Sequence, residues 1–222
     1  MRRALEKSRL QEVYDRTAGR YDRQHAFFTL SSDARGRQMV VERTVDEGDK
    51  VLDAGAGTGS TSLLAARLAG HHGKVVCYDL SQGMLEVAEA KAREAGLAGR
   101  MEFMTGDMLH MPFLTGSFDA VVSTYSLCPL YDPAEGAREL YRVLRPGGLM
   151  GVAHSTEPRN TLVRWCAHVV ESAAWRIPAL TLGCRPVSVL ATLKEAGAEV
   201  LLEDTIGVPL WPFEVFVVKK PS

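Results

Sequence analysis

The chain has 222 residues, 46% hydrophobic and 24% charged, the profile of an ordinary globular protein and not of a disordered one. Its 26 Lys and Arg residues nearly balance 27 Asp and Glu residues, for a formal charge of −1, so it offers no polybasic field to nucleic acid or anionic lipid. No apolar run approaches the ~20 residues of a membrane span, and Met1-Arg2-Arg3 leads into charged sequence instead of a secretory core, so a soluble, cytoplasmic protein is expected.

Residues 1–45 read as helical. Five β-rich runs follow, at 50–54, 74–79, 101–105, 118–123 and 149–154, each too continuously apolar to be half-exposed, as parallel strands covered on both faces are. Between most of them, stretches 61–69, 84–95 and 134–144 carry apolar residues at three- and four-residue spacing, and Pro146-Gly147-Gly148 stops the last. Such alternation predicts βαβ units and a doubly wound sheet. Residues 1–45 and 156–185 fall outside the pattern and are the candidates for a lid, the first as an N-terminal helical lid and the second as a helical insertion. A helix at 186–196 and strands at 199–204 and 213–219 complete the chain, and the last two strands, joined without a helix, should pair antiparallel. The expectation is an α/β fold: seven strands, mostly parallel with a reversed last strand, and helices on both faces. With no internal repeat or Pro/Gly/Ser linker, residues 1–222 are expected to form one domain.

Cys77, Cys128, Cys166 and Cys184 lie far apart, mostly in apolar stretches, and form no C-x-x-C, so they are expected to be reduced and structural. His25, His110 and His168 show no metal-ligand spacing, and His71-His72 falls in a loop before the second strand; no metal is expected.

The sharpest local signal is Val51-Leu52-Asp53-Ala54-Gly55-Ala56-Gly57-Thr58-Gly59-Ser60, a buried strand running into a glycine-rich turn that opens a helix. Glycines at 55, 57 and 59 let a ligand lie against main-chain amides. The spacing is G-x-G-x-G, whereas a dinucleotide turn requires G-x-G-x-x-G. Asp53 beside the loop would repel a pyrophosphate and attract an ammonium group. The second strand ends in Tyr78-Asp79, whose carboxylate can take two hydrogen bonds from a ribose diol. Ribose plus amino acid points to S-adenosylmethionine.

With these residues the sequence resembles the class I S-adenosylmethionine-dependent methyltransferases, whose fold is Rossmann-like, over roughly residues 10–155. Ser117-Phe118-Asp119-Ala120-Val121-Val122 and Leu144-Arg145-Pro146-Gly147-Gly148 match two further signatures of that class. The resemblance implies a cofactor site built from Asp53, Gly55, Ala56, Gly57 and Gly59, with Asp79 on the ribose and Gly106-Asp107-Met108 facing adenine. It also implies that Leu80 and Met84 pack on the adenine, that Asp107 accepts from its exocyclic amine, and that Thr124 lies near the methionine moiety. S-adenosylhomocysteine would be the product. The segment Val13-Tyr14-Asp15-Arg16-Thr17-Ala18-Gly19-Arg20-Tyr21-Asp22 resembles the N-terminal part of ubiquinone/menaquinone C-methyltransferases, the methyltransferase type 11 group. Tyr21 would then close over the cofactor with its phenol toward the methionine carboxylate; the plainer alternative is two tyrosines packed on the sheet.

Residues 121–130 and 140–158 are also similar to thiol methyltransferases and to some phospholipid N-methyltransferases, so the acceptor stays open. No Asn/Asp-Pro-Pro-Tyr/Phe sequence follows the fourth strand, which argues against methylation of nucleic-acid bases. His154 ends the fifth strand, at the edge where ligands bind, and is the best general-base candidate; the alternative is a histidine bonded to a neighbouring loop. Residues 161–182, with Leu162, Trp165, Val169 and Ile177 on a broad apolar face, are expected to form a lid over a greasy acceptor, with a homodimer contact as the alternative. The expected activity is methyl transfer to a small aromatic or lipophilic molecule, with quinone-precursor C-methylation favoured. A nicotinamide-dependent oxidoreductase is disfavoured by Asp53 and the shifted glycine, and a non-catalytic cofactor-binding regulator is the alternative from another class.

Overall fold

The computed structural model describes residues 6–21, 32–158, 160–165, 167 and 185–222. Helix α1 (Lys7–Thr17) runs into a 3-10 turn (Ala18–Arg20), and α2 spans Ser32–Thr44. There follow β1 (Lys50–Ala54), α3 (Ser60–Leu68), β2 (Lys74–Asp79), α4 (Gln82–Glu94), β3 (Met101–Thr105) and β4 (Phe118–Thr124). The remainder comprises α5 (Pro133–Val143), β5 (Leu144–Ser155), α6 (Leu190–Glu195), β6 (Glu199–Val208) and β7 (Trp211–Lys219).

The strands form one seven-stranded sheet in the order β3-β2-β1-β4-β5-β7-β6. Strands β1 to β5 are mutually parallel, and β7 runs antiparallel to both of its neighbours. The expected doubly wound architecture is therefore present, with its reversed strand. On one face Val40 and Val41 of α2 and Ala65 and Ala66 of α3 join the core; on the other, Ala137 and Leu140 of α5 and Leu193 of α6 do so.

Local chemistry accounts for the helix starts that matter. Ser81 caps α4 by accepting from the Met84 amide at 3.1 Å, and Asp132 caps α5 by accepting from the Glu135 amide at 2.9 Å, with Pro133 in the first turn. No helix connects β3 to β4. That loop is held instead by Arg142 of α5, which donates to the carbonyls of Phe113 at 2.8 Å and Met111 at 3.2 Å.

Three boundaries differ from the sequence expectation, each because a tertiary contact overrides a local signal. Strand β5 begins at Leu144 instead of 149, because Gly147 and Gly148 pair with Lys220 of the C-terminal tail. The helix expected from 186 starts at Leu190, since the Val187 amide is taken by the Ser155 carbonyl. The hairpin of β6 and β7 extends past Gly207, which adopts a φ of +95° beside the Trp211 carbonyl. Strand β7, the last in the chain, lies inside the sheet and not at its edge. Val215, Phe216, Val217 and Val218 are all buried, whereas β6 exposes Glu199, Glu203 and Asp204 and serves as a charged edge.

Cys77 and Cys128 are buried and not disulfide-bonded, and burial pushes the Cys77 thiol up to about 12. Cys166, Cys184, His25, His168 and most of the expected insertion, including Val169 and Ile177, lie outside the described residues. Leu162 and Trp165 are described, and both are exposed. Among the described residues no helix is long and apolar enough to cross a membrane.

Phe216→Ala removes a fully buried ring from the inserted strand and should cost about 3–5 kcal/mol of unfolding free energy, read by urea denaturation. A loss below about 1 kcal/mol would contradict the core position of β7.

Candidate functional site

The turn after β1 is fixed first. The amides of Gly55 and Ala56 both donate to the Tyr78 carbonyl, at 2.7 and 3.2 Å, which ties the turn to the end of β2. Gly55 has a φ of +74°, and a Cβ there would lie 2.1 Å from Ser126 Cβ, so only glycine fits. Gly57 differs: at a φ of +52° a Cβ would meet nothing within 4 Å, and its bare backbone borders an open cleft. Gly59 does not face that cleft; it packs against Ala88 of α4.

Of the residues expected at the cofactor, Tyr21, Gly55, Gly57, Asp79, Leu80, Met84, Gly106, Asp107, Met108 and Thr124 line this one cleft. Asp53, Ala56 and Gly59 are not among its lining residues; they stand behind it as supports. The Asp79 carboxylate is held by two amides, Gly57 on Oδ2 at 2.8 Å and Ser81 on Oδ1 at 2.9 Å. Burial pushes this carboxyl up, and the amides act in the opposite sense. Burial would also raise Asp107, but hydrogen bonds from Lys7 and from the Leu109 amide outweigh it and hold the carboxyl below its ordinary value.

Helix α1 supplies groups that sequence reading missed. Lys7 Nζ lies 2.8 Å from Asp107 Oδ2. Asp15 accepts from the Ser81 hydroxyl and from the Gly83 amide, the latter at 3.2 Å, placing a carboxylate at the N-terminus of α4, where the helix dipole favours it. Leu10 and Tyr14 line the cleft beside Tyr21, the two tyrosine rings 6.1 Å apart between centroids. Nothing local in the sequence signals these contacts, because Asp15 meets residues more than sixty positions away.

At the other end, Asp53 is fully buried; its Oδ2 accepts from the Ser62 hydroxyl at 2.5 Å and its Oδ1 has no hydrogen-bond partner. Burial pushes its carboxyl up to about 7, with the Ser62 hydrogen bond opposing and the nearby Asp79 charge adding. Thr61 and Thr124 share a 2.7 Å hydroxyl contact, and Ser123 and Ser126 both donate to the Ala54 carbonyl at 3.0 Å. Tyr125, also on the cleft, has a φ of +59°, uncommon for a residue with a side chain. Its hydroxyl donates to the Asp33 carbonyl at 3.3 Å, and its ring lies between Phe213 and the Arg37 guanidinium. Gly36 makes room for that hydroxyl, since a Cβ would sit 2.2 Å from it.

The structure does not bring His154 to this cleft. Its side chain is fully buried on β5, with the ring edge-on to Phe216, Nδ1 3.1 Å from the Ser155 carbonyl and Nε2 3.2 Å from Glu214 Oε2. Among the described residues no group of three or more His, Cys, Asp or Glu side chains is placed to hold a metal ion.

A model of the ubiE/COQ5 methyltransferase family matches residues 2–171. The chain is 30% identical over 154 residues to a demethylmenaquinone methyltransferase of Lactobacillus johnsonii, covering 69% of this chain and 63% of that protein. It is 32% identical over 147 residues to the ubiquinone/menaquinone biosynthesis C-methyltransferase UbiE of Haemophilus ducreyi, covering 66% and 57% respectively. To a demethylmenaquinone methyltransferase of Clavibacter sepedonicus it is 35% identical over 155 residues, covering 68% and 60%. The match thus spans 57–63% of the length of these relatives. Among solved structures, a geranyl diphosphate C-methyltransferase from Streptomyces coelicolor A3(2) superposes with a TM-score of 0.69 at 16% identity, covering 84% of this chain and 80% of that one. A SAM-dependent methyltransferase from Aquifex aeolicus gives a TM-score of 0.61 at 19% identity over 96% and 98% of the two chains. These last two likenesses are of fold.

Because the folded Asp53 carboxyl titrates near 7, above its ordinary 3.8, the folded state holds that proton more tightly than the unfolded one. Its contribution to stability is complete below about pH 4 and is lost as pH rises through about 7, on the order of 4 kcal/mol in all. Urea denaturation of the protein without ligand should show this fall between about pH 4 and 7, and Asp53→Asn should flatten it. The same slope in both proteins would remove the assignment.

Proposed function

Since the chain belongs to the ubiE/COQ5 methyltransferase family, we propose that it binds S-adenosylmethionine and methylates a ring carbon of a small, quinone-precursor-like acceptor. The observation that carries this reading is the sign of the cleft: among the described residues, the charged ones lining it are Asp79 and Asp107, and no Lys or Arg lines it. Such a lining repels a diphosphate and suits a cationic nucleoside.

The residues fit that group. Gly57 offers bare backbone, Asp79 is already oriented by two amides, and Asp53 keeps one buried oxygen without a partner at the end where an ammonium would lie. When bound, the cofactor supplies an electrophilic methyl on a positively charged sulfur. In this reading Asp79 takes the ribose diol, Leu80 and Met84 pack on adenine, and Asp107, steadied by Lys7, accepts from the adenine amine. Gly55, Ala56 and Gly59 hold the loop in shape. Thr124 and Tyr21 border the methionine end, and Tyr14 and Leu10 cover the nucleoside from α1. The protein's contribution is alignment and water exclusion, which for two bound reactants supplies about 7–11 kcal/mol. The names of the relatives support the acceptor class: they are described as demethylmenaquinone and ubiquinone/menaquinone C-methyltransferases.

Calorimetric titration with S-adenosylhomocysteine should show binding that Asp79→Ala weakens ~10- to 100-fold, the scale of lost hydrogen bonds to a charged group. The wild type should also methylate 1,4-dihydroxynaphthalene. Tight binding of NAD without any heat from S-adenosylhomocysteine would overturn the reading.

A further inference from the structure

Helix α1 does more than cover the cleft. Lys7, Leu10 and Tyr14 recur at three- and four-residue spacing and so share one face of it. Leu10 and Tyr14 line the cleft, and Lys7 reaches Asp107 at its rim. Asp15, one residue past Tyr14, meets α4 instead. Its Oδ1 accepts from the Ser81 hydroxyl and, at 3.2 Å, from the Gly83 amide. The approach is close, since a Cβ on Gly83 would sit 3.3 Å from that oxygen.

Ser81 joins Asp15 to Asp79. It is fully buried, and its hydroxyl accepts from the Met84 amide at 3.1 Å, so its single hydrogen serves one partner, and Asp15 takes it. The main-chain amide of the same residue donates to Asp79 Oδ1 at 2.9 Å, while the Gly57 amide holds Oδ2 at 2.8 Å. A carboxylate fixed at both oxygens keeps its remaining lone pairs in a set direction, and Asp79 lines the cleft. Charge does not account for Asp15. Burial already pushes the Asp79 carboxyl up, and the Asp15 charge adds to that rise. What Asp15 contributes is the position of Ser81.

We propose that Asp15 is a positioning residue for the ribose: through Ser81 it holds the Asp79 carboxylate in the orientation that meets the two ribose hydroxyls. The proposal rests on the cofactor reading of the cleft. It makes α1 a reader of the nucleoside at two points, with Asp15 acting at the ribose and Lys7, on Asp107, at the adenine amine. The plain alternative is a carboxylate that serves only the dipole of α4, a role blind to which hydroxyls a ligand carries.

The test is calorimetric titration of the protein with S-adenosylhomocysteine and with its 2′,3′-dideoxyribose analogue. Asp15→Ala should weaken S-adenosylhomocysteine ~5- to 20-fold and the dideoxy analogue less than about twofold, because a ligand without the hydroxyls leaves Asp79 nothing to meet. Asp15→Asn, which keeps an acceptor oxygen for Ser81 and Gly83, should bind S-adenosylhomocysteine within about threefold of wild type. In a Ser81→Ala background, Asp15→Ala should cost less than about threefold more, since the hydroxyl link is already cut. Lys7→Met should weaken both ligands by the same factor. Equal losses for the two ligands in Asp15→Ala, a loss in Asp15→Asn as large as in Asp15→Ala, additive losses in the double variant, or a ribose-dependent loss in Lys7→Met would each overturn the proposal while leaving cofactor binding intact. Equal wild-type affinity for both ligands would remove the ribose role of Asp79 and the proposal with it. Failure of the wild type to bind S-adenosylhomocysteine would overturn the cofactor reading as well.

Discussion

The carbonyl oxygen of Tyr78 accepts from two consecutive amides, those of Gly55 and Ala56, and the geometry of the cleft hangs on that junction. It clamps the turn leaving β1 onto the end of β2, whose register pairs Ala54 with Tyr78. One residue further on, Asp79 meets the Gly57 amide. A side chain at position 55 would collide with Ser126 and break the clamp. The same compactness lets Ser123 and Ser126 reach the Ala54 carbonyl, so the floor of the cleft is a closed hydrogen-bonded unit before any ligand arrives. Preorganisation of this kind is what makes binding productive, because the ordering cost falls on folding and not on the encounter.

Asp79 and Asp107 line this cleft and Asp53 stands behind it, and their surroundings set the three apart. Asp53, cut off from water with a single hydroxyl donor, is pushed up to about 7. Asp79 is also raised by burial, although two amides fix its direction. Asp107, at the rim, is lowered by Lys7 and the Leu109 amide. The N-terminal helix therefore covers the cleft and also tunes its rim: Lys7 acts on Asp107, and Asp15 secures the start of α4 beside Asp79. A cationic ligand next to Asp53 would supply the counter-charge that the protein withholds.

The C-terminal hairpin completes the sheet. Strand β7 is apolar enough on both faces to enter the sheet between β5 and β6, and its one acidic interruption, Glu214, is set against buried His154 by the antiparallel ladder. Glu214 lies beyond residues 2–171, the part matched by the family model.

The sequence by itself determined the order and kind of the strands, the glycine turn and most of the residues lining the cleft. These features are local: continuous apolar runs, glycines at fixed offsets and a carboxylate at the end of a strand all follow from near neighbours in the chain. Local pattern also misled in places. Gly147-Gly148 reads as a helix stop, yet the C-terminal tail draws it into β5, and His154 at a strand end reads as facing the ligand, yet its side chain turns into the core beside Phe216. Asp53 and Gly59 lie on the motif but behind the cleft. Only the tertiary structure decided that Lys7 meets Asp107 and Asp15 meets the start of α4, that Tyr125 takes a left-handed backbone under Arg37, and that Glu214 faces His154. Each of those depends on segments far apart in the chain being brought within a few ångströms by sheet order, and sheet order is set by which strands can bury both faces, a property of the assembled core that no local stretch contains.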